Sequence, residues 1–332
     1  MTKNKLALYA LVLLFLFSAL SAGCGSSQPA AEQKPVVLKA YDSQPPDYPT
    51  ALMLKEMGRL LDERTKGRIK VEVIAGGQLG GEKEATEMMQ SGAIGFGHVN
   101  ASPLTGFVPK MGVLSLPYLF RDIEHLYKVV DGPIGQEMFK ELEKNNLVGL
   151  VYLDAGARSF YTKSRAINTP DDAKGQKIRV QQNKIFVDTV SALGASATPM
   201  GYGEVYSGLQ SGMIDGAENN PPSLLAVKHY EVCKFFALDE HSMVPEIIIM
   251  SKKVFESLSP DDQKLVRQAA VDAAVFYKKI WNESIEKAYK DLAAQGVTIS
   301  KPDKEPFRKA VAPVYEKYPE YKELISQIQA VK

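Results

Sequence analysis

The chain has 332 residues, a formal net charge of +1, 45% hydrophobic and 24% charged residues, and two cysteines. That balance describes a folded globular protein and excludes a disordered chain or a disulfide-built scaffold. No polybasic stretch or basic stripe is present, so nucleic acid is a poor partner.

Lys3 and Lys5 precede an apolar run from Leu6 to Leu20, and then comes Ser21-Ala-Gly-Cys24. A basic start, a short apolar centre and small residues at the cut predict a signal peptide over residues 1–23. The run falls short of the ~20 residues expected of a membrane span. LSAGC (20–24) resembles the bacterial lipobox, which implies a lipidated Cys24 and a protein anchored at the outer face of the cytoplasmic membrane or in the periplasm. Two acyl chains would bury enough methylenes to hold a soluble domain there. The alternative is a secreted protein with a coincidental Cys24. Losing Lys3 and Lys5 would take the formal charge from +1 to −1. Residues 24–35 are small, polar and proline-containing, and read as a flexible tether.

From residue 36 onward short apolar segments alternate with amphipathic ones. Strands are predicted at Val36–Tyr41, Ile69–Ala75, Ile94–Val99, Val113–Leu116, Leu147–Leu153, Lys177–Val180 and Glu246–Met250. Helices are predicted at Ala51–Leu61, at Gly81–Ser91, between Val180 and Gly194, and over the run from Val205. The alternation implies α/β architecture with largely parallel sheets, and ~300 residues exceed one comfortable core, so two lobes are expected. SPDD (259–262) is a strong helix start, with Ser at the N-cap and Pro at the first helical position. No glycine or proline then appears until Gly296. A helix of about 36 residues, roughly 54 Å long, follows, with Leu265, Ala269, Ala273, Phe276, Ile280 and Ile285 as its apolar positions. It could brace both lobes, or break near Trp281-Asn282.

Signatures of chemistry are missing. The four histidines form no HExxH motif or metal-spaced cluster with cysteine, and no GxSxG elbow occurs. GGQLGGEK (76–83) looks like a phosphate loop, but the lysine is misplaced and no Ser/Thr follows it. Cys233, in an apolar run and without a partner if Cys24 carries lipid, reads as a core residue. The chain is expected to bind rather than catalyse, with no catalytic residue, metal or cofactor. Two arginines need a reason: Arg179 within KIRVQQ (177–182), and Arg158 within LDAGARSFY (153–161). An arginine fork among apolar neighbours matches a planar carboxylate, whereas the alternative for each is a structural salt bridge.

KIRVQQ (177–182), ALGASATPMGYGEVY (192–206) and LQSGMIDGAEN (209–219) together resemble the signature of the DctP family, the substrate-binding proteins of TRAP transporters. The resemblance extends to QLGGEKE (78–84), LPYLF (116–120), EHSMVPE (240–246) and SLSPDD (257–262). It implies a two-lobed, periplasmic-binding-protein type II-like α/β fold with a ligand cleft between the lobes and the long helix spanning both. Lobe I is expected at 36–153 plus 242–280 and lobe II at 154–241 plus 281–332. The resemblance further implies a small organic acid ligand, handed to small and large membrane permease subunits. It places the principal carboxylate-binding arginine at Arg179, a second at Arg158, the motif asparagine at Asn219, and an aromatic ring at Tyr202. Glu82 and Asn100 fall on first-lobe segments that reach hydroxyls or a second polar end.

Two local variants bear on the ligand: QPPDYPT (44–50), which supplies Asp47 and Tyr48, and GAENNPPS (216–223), where the family pattern continues Glu-Asn-Pro. Both resemble members that bind sugar acids such as glucuronate and galacturonate. Asp47, Glu82, Asn100, Gln181 and Asn219 would suit many hydroxyls. A C4-dicarboxylate is the alternative, with Arg158 and His98 facing its second carboxylate. Asn220 reads either as a ligand contact or as a pre-proline spacer. An ABC-type binding lipoprotein and an extracytoplasmic hydrolase are the rival classes.

Overall fold

The computed structural model describes residues 35–332, so the expected signal segment, Cys24 and all but the end of the tether lie outside the described residues. Eleven strands form two sheets among them. The first contains β1 (Val36–Tyr41), β2 (Ile69–Ile74), β3 (Phe96–Asn100), β4 (Leu147–Leu153) and β10 (Glu246–Ser251), in the order β2-β1-β3-β10-β4. The second contains β5 (Arg158–Thr162), β6 (Lys177–Val180), β7 (Ser196–Pro199), β8 (Gly216–Asn219), β9 (Phe235–Ser242) and β11 (Thr298–Ser300), in the order β11-β9-β5-β8-β6-β7.

The sheets are mixed rather than largely parallel, and the connections explain why. The chain leaves the first sheet after β4 and enters the second as β5 with only residues 154–157 between them. It returns from β9 to β10 through residues 243–245. A strand arriving directly from the other lobe, without a crossover helix, enters at the end where its neighbours finish. Accordingly β10 is antiparallel to β3 and β4, with Glu246 opposite Asn100 and Leu153. β5 is antiparallel to β8 and β9, with Arg158 opposite Ser242 and Ser159 opposite Asn219. The carboxyl ends of the other strands therefore gather where the chain crosses, which is where open α/β sheets hold ligands.

β9 carries the second sheet to Ser242, and β10 resumes the first at Glu246. The C-terminal segment also ties back onto the first lobe: Tyr315 Oη donates to the Pro117 carbonyl (2.7 Å) and Tyr321 Oη to that of Pro109 (2.6 Å). The segment read as a strand at Val113–Leu116 instead closes a 3-10 helix, Pro109–Ser115. Its residues are buried on all sides, and such a run carries no period to tell strand from helix.

The long helix spans Pro260–Ala294 without a break at Trp281. The Ser259 side chain caps it, accepting from the Asp262 N–H, and Gly296 follows its end at φ +76°. Its buried face lies beside the expected one: Val266, Ala269, Ala270, Ala273, Ala274, Tyr277, Trp281, Ala288 and Leu292, with Phe276 exposed. Ala269, Ala270, Ala273 and Ala274 pack in the same core as the apolar face of helix Pro49–Arg64. The two aromatic rings are tolerated inside because Asp154 meets their polar atoms. Tyr277 Oη donates to its carbonyl (2.8 Å) and Trp281 Nε1 to its carboxylate (3.1 Å). Residues up to Trp281 pack in a core with the first sheet, and Leu292 packs in one with the second, so the helix braces both lobes.

Gly216 opens β8 between β5 and β6, where a Cβ would overlap the Tyr161 carbonyl oxygen and lie 2.7 Å from Thr162 Cγ2. Strand pairing this close admits only glycine. Gly216→Ala should destabilise the protein by about 1–3 kcal/mol, read as a lowered melting temperature. An unchanged melt would show that β8 can shift freely.

Candidate functional site

Each lobe delivers side chains to the cleft by short-range devices. After β2, Gly76, Gly77 and Gly80 all take positive φ, and this turn leads into helix Glu82–Ser91. That places Glu82 at the first helical position, facing the crossing. From the second lobe, β6 carries Arg179, and β8 ends in Glu218 and Asn219. Asn220 then caps helix Pro221–Ala226: its Oδ1 accepts from Ser223 N–H (2.8 Å) while its Nδ2 donates to the Ala155 carbonyl (2.9 Å). The consecutive prolines are thus a helix start, and Asn220 is structural.

A cavity of about 410 Å³ lies between these elements, lined from the first lobe by Gln44, Glu82 and Glu246 and from the second by Arg158, Arg179, Gln181, Tyr202, Asn219 and Ser223, among others. Six sequence-predicted residues therefore meet there: Glu82, Arg158, Arg179, Gln181, Tyr202 and Asn219. Two do not. Asp47 is exposed on the turn before helix Pro49–Arg64 and does not line the cavity. Its neighbour Tyr48 is buried instead, its hydroxyl 2.8 Å from Ser223 Oγ of the other lobe. Asn100 is buried behind the wall, where its Oδ1 accepts from Ser102 N–H (2.9 Å) and its own N–H donates to Glu82 (3.0 Å).

The two arginines play different parts. Arg158, 2% exposed, has its fork filled: Nε and Nη2 (3.0 Å) donate to the Glu218 carboxylate, and Nη1 donates to Asn219 Oδ1 (3.1 Å). Burial works to raise the Glu218 carboxyl, but Arg158 and His241 outweigh it and hold it at about 2. Asp239 backs His241 at 2.8 Å; burial opposes the imidazole's charge, yet Asp239 and Glu218 raise it to about 9. Arg179, 3% exposed, has no carboxylate within ion-pair distance among the described residues. Its Nε and Nη2 share the Met200 carbonyl at 3.1 and 2.8 Å, and its guanidinium lies 5.8 Å from the Tyr202 ring centre. Burial pulls its pKa below the ordinary arginine value. A buried cation lacking a counter-ion and opening on a cavity is poised for an anion.

The first-lobe side is acidic. His98 is clamped between Asp42 (3.2 Å) and Glu246 (2.8 Å). Burial disfavours its charge, but the two carboxylates outweigh that and keep it well above its usual value. His98 is thereby occupied by two carboxylates and does not line the cavity. Burial and then Glu246 push Glu82 up to about 7. Glu218 and Glu246 were not singled out from sequence, although each is a lone charge in an otherwise apolar or small-residue strand, GAEN and EIIIMS. Cys233 is free and buried, and burial pushes its thiol up to about 12, so it is inert core. Among the described residues no cluster could hold a metal ion, and no helix is long and apolar enough to cross a membrane.

Residues 41–321 match the model of the DctP family, described as bacterial extracellular solute-binding protein, family 7. A solute-binding protein of Chromohalobacter salexigens is 36% identical over 296 residues, covering 88% of each chain. Among solved structures, a TRAP periplasmic solute-binding protein from Xanthobacter autotrophicus with bound β-D-galacturonate is 42% identical, with TM-score 0.86 over 89% of this chain and 100% of that one. Another from Pseudomonas putida F1, with bound D-glucuronate, is 39% identical, with TM-score 0.87 over 90% of this chain and 98% of that one.

Glu218→Gln should leave Arg158 buried and unpaired, at a cost of ~3–5 kcal/mol visible in the melting temperature. The Glu218 carboxyl titrates lower in the folded state, so its contribution is full above ~4.3 and is lost as pH falls towards about 2. The variant should accordingly lose less stability than the parent across that acid range; parallel pH profiles would refute the assignment.

Proposed function

The chain belongs to the DctP family of bacterial extracellular solute-binding proteins, and from that premise we propose that it captures a hexuronate for a TRAP transporter. In this reading Arg179 takes the ligand carboxylate through its fork, and Asn219 and Tyr202 border the same end. Gln181 and Glu82 meet the hydroxyls, with Gln44 and Glu246 added from the structure. The observation that carries the reading is Arg179, a buried guanidinium with a cavity where its counter-ion should be. Glucuronate and galacturonate in similar structures point the same way.

Arg158 argues against the C4-dicarboxylate alternative. A two-ended clamp needs a second available cation, and the charge of Arg158 is already matched by Glu218. Micromolar capture requires about −8 kcal/mol, more than one charge-assisted pair supplies, so the hydroxyl contacts must contribute. Closure of the lobes would dry the Arg179–carboxylate pair and strengthen it. The protein then delivers its ligand to the membrane subunits rather than transforming it.

Ligand at about 100 times its Kd should stabilise the protein by ~2.7 kcal/mol. Galacturonate or glucuronate should thus raise the melting temperature by several degrees, with malate and succinate silent. Arg179→Lys should weaken uronate binding at least roughly tenfold, because an ammonium cannot make two parallel bonds. Silence of both uronates, or full affinity in that variant, would sink the reading.

Attachment of the protein to the membrane through Cys24 is part of the proposal and rests on the lipobox-like sequence alone. Mass spectrometry of protein from cells should find the N-terminal peptide diacylated at Cys24. An unmodified or differently cut terminus would leave a free extracytoplasmic protein.

A further inference from the structure

Resting on the uronate reading, we propose that the wall presented by Glu82 and Glu246, backed by His98 and Asp42, is a specificity determinant that rejects dicarboxylates. It would admit a ligand with one carboxylate and an uncharged, hydroxyl-bearing far end. The charge map of the cleft supports this. On the second-lobe side one buried cation, Arg179, has no carboxylate partner among the described residues, while Arg158 is neutralised by Glu218. On the first-lobe side Glu82 and Glu246 line the cavity, and a single imidazole, His98, stands among three carboxylates. Lys83, the first-lobe cation that lines the cavity, is exposed.

Hydrogen-bond polarity leads to the same conclusion. The wall presents acceptors: the carboxylates of Glu82 and Glu246, and Gln44 Oε1, which is buried and unpartnered. A hydroxyl both donates and accepts and can satisfy such a set, whereas an ionised carboxylate only accepts. A second ligand carboxylate would face like charges and acceptors with no protons to share, which is discrimination by repulsion.

Glu82 also lets the wall be titrated. It is faced by Ser43 after β1, His98 and Asn100 on β3, and Glu246 on β10, with Asp42 behind His98 and Lys83 and Glu84 on its own helix. Across the cleft lie Arg158, Arg179 and Glu204. Burial and Glu246 hold Glu82 at about 7, so it is neutral in mild acid and charged in mild base.

The test is calorimetric binding of galacturonate, glucuronate and galactarate, the last a six-carbon dicarboxylate, to the purified protein. Galactarate should bind at least roughly tenfold more weakly than the better uronate near pH 8. That gap should narrow several-fold near pH 5.5, about where Glu82 is protonated but both galactarate carboxyls stay ionised. Glu82→Gln should narrow it near pH 8 to about its value near pH 5.5, and Glu246→Gln should narrow it at both pH values, each checked for folding by its melt and each weakening the uronate. The pH comparison on the unaltered protein stands even where a variant fails to fold. Galactarate binding as tightly as the uronate near pH 8 would overturn the proposal, as would a gap indifferent to pH and to both substitutions. If neither uronate binds the unaltered protein, the functional reading falls first and the inference with it.

Discussion

The site depends on one uncompensated charge. Placing the Arg179 guanidinium 3% exposed without a carboxylate partner costs solvation that two hydrogen bonds to one carbonyl and a nearby ring only partly offset. In the proposed reading that deficit makes the cleft selective for anions, since a ligand carboxylate would restore what folding removed. Differential affinity of this kind is also the only means by which a ligand can favour the closed arrangement of the lobes.

Arg158 shows the opposite solution from nearly the same sequence context. Glu218 fills its fork, His241 and Asp239 back Glu218, and the chain Asp239–His241–Glu218–Arg158 is fully buried. This network fixes the start of β5 against the ends of β8 and β9, and it holds Asn219 Oδ1 through Arg158 Nη1. One arginine therefore shapes the site, while the other has no carboxylate among the described residues. The first lobe mirrors the device with Asp42–His98–Glu246, which stiffens the wall that faces Arg179.

Topology makes these clusters possible. Because β5 and β10 enter their sheets directly from the opposite lobe, their first residues, Arg158 and Glu246, stand at the crossing beside the ends of parallel neighbours. The long helix closes the arrangement on the far side, with Asp154 of the crossing bonded to Tyr277 and Trp281. Tyr48 and Gln44 of one lobe meet Ser223 of the other. Crossings, wall and cavity thus share a few residues.

Much of this was legible in the chain. Capping and the absence of breakers bounded the helix Pro260–Ala294, and apolar runs bounded β1, β2, β4, β6 and β10. The motif around Arg179 and Asn219 pointed to a bound acid, because local signals such as caps, turns and isolated charges are written in adjacent residues. Other features were not readable there. Strands β5, β7, β8, β9 and β11 are held by their neighbours rather than by their own periodicity, and the 3-10 segment Pro109–Ser115 is indistinguishable in sequence from a buried strand. The buried face of the long helix depended on Asp154, more than 100 positions away in the chain, accepting from Tyr277 and Trp281. Asp47 and Tyr48 are adjacent, yet one points to solvent and the other bonds across the cleft. Above all, the sequence by itself determined that two arginines sit among apolar residues. Only the tertiary structure decided which of them has a carboxylate, because the partner, Glu218, is 60 residues from Arg158 and meets it only when β5 pairs with β8.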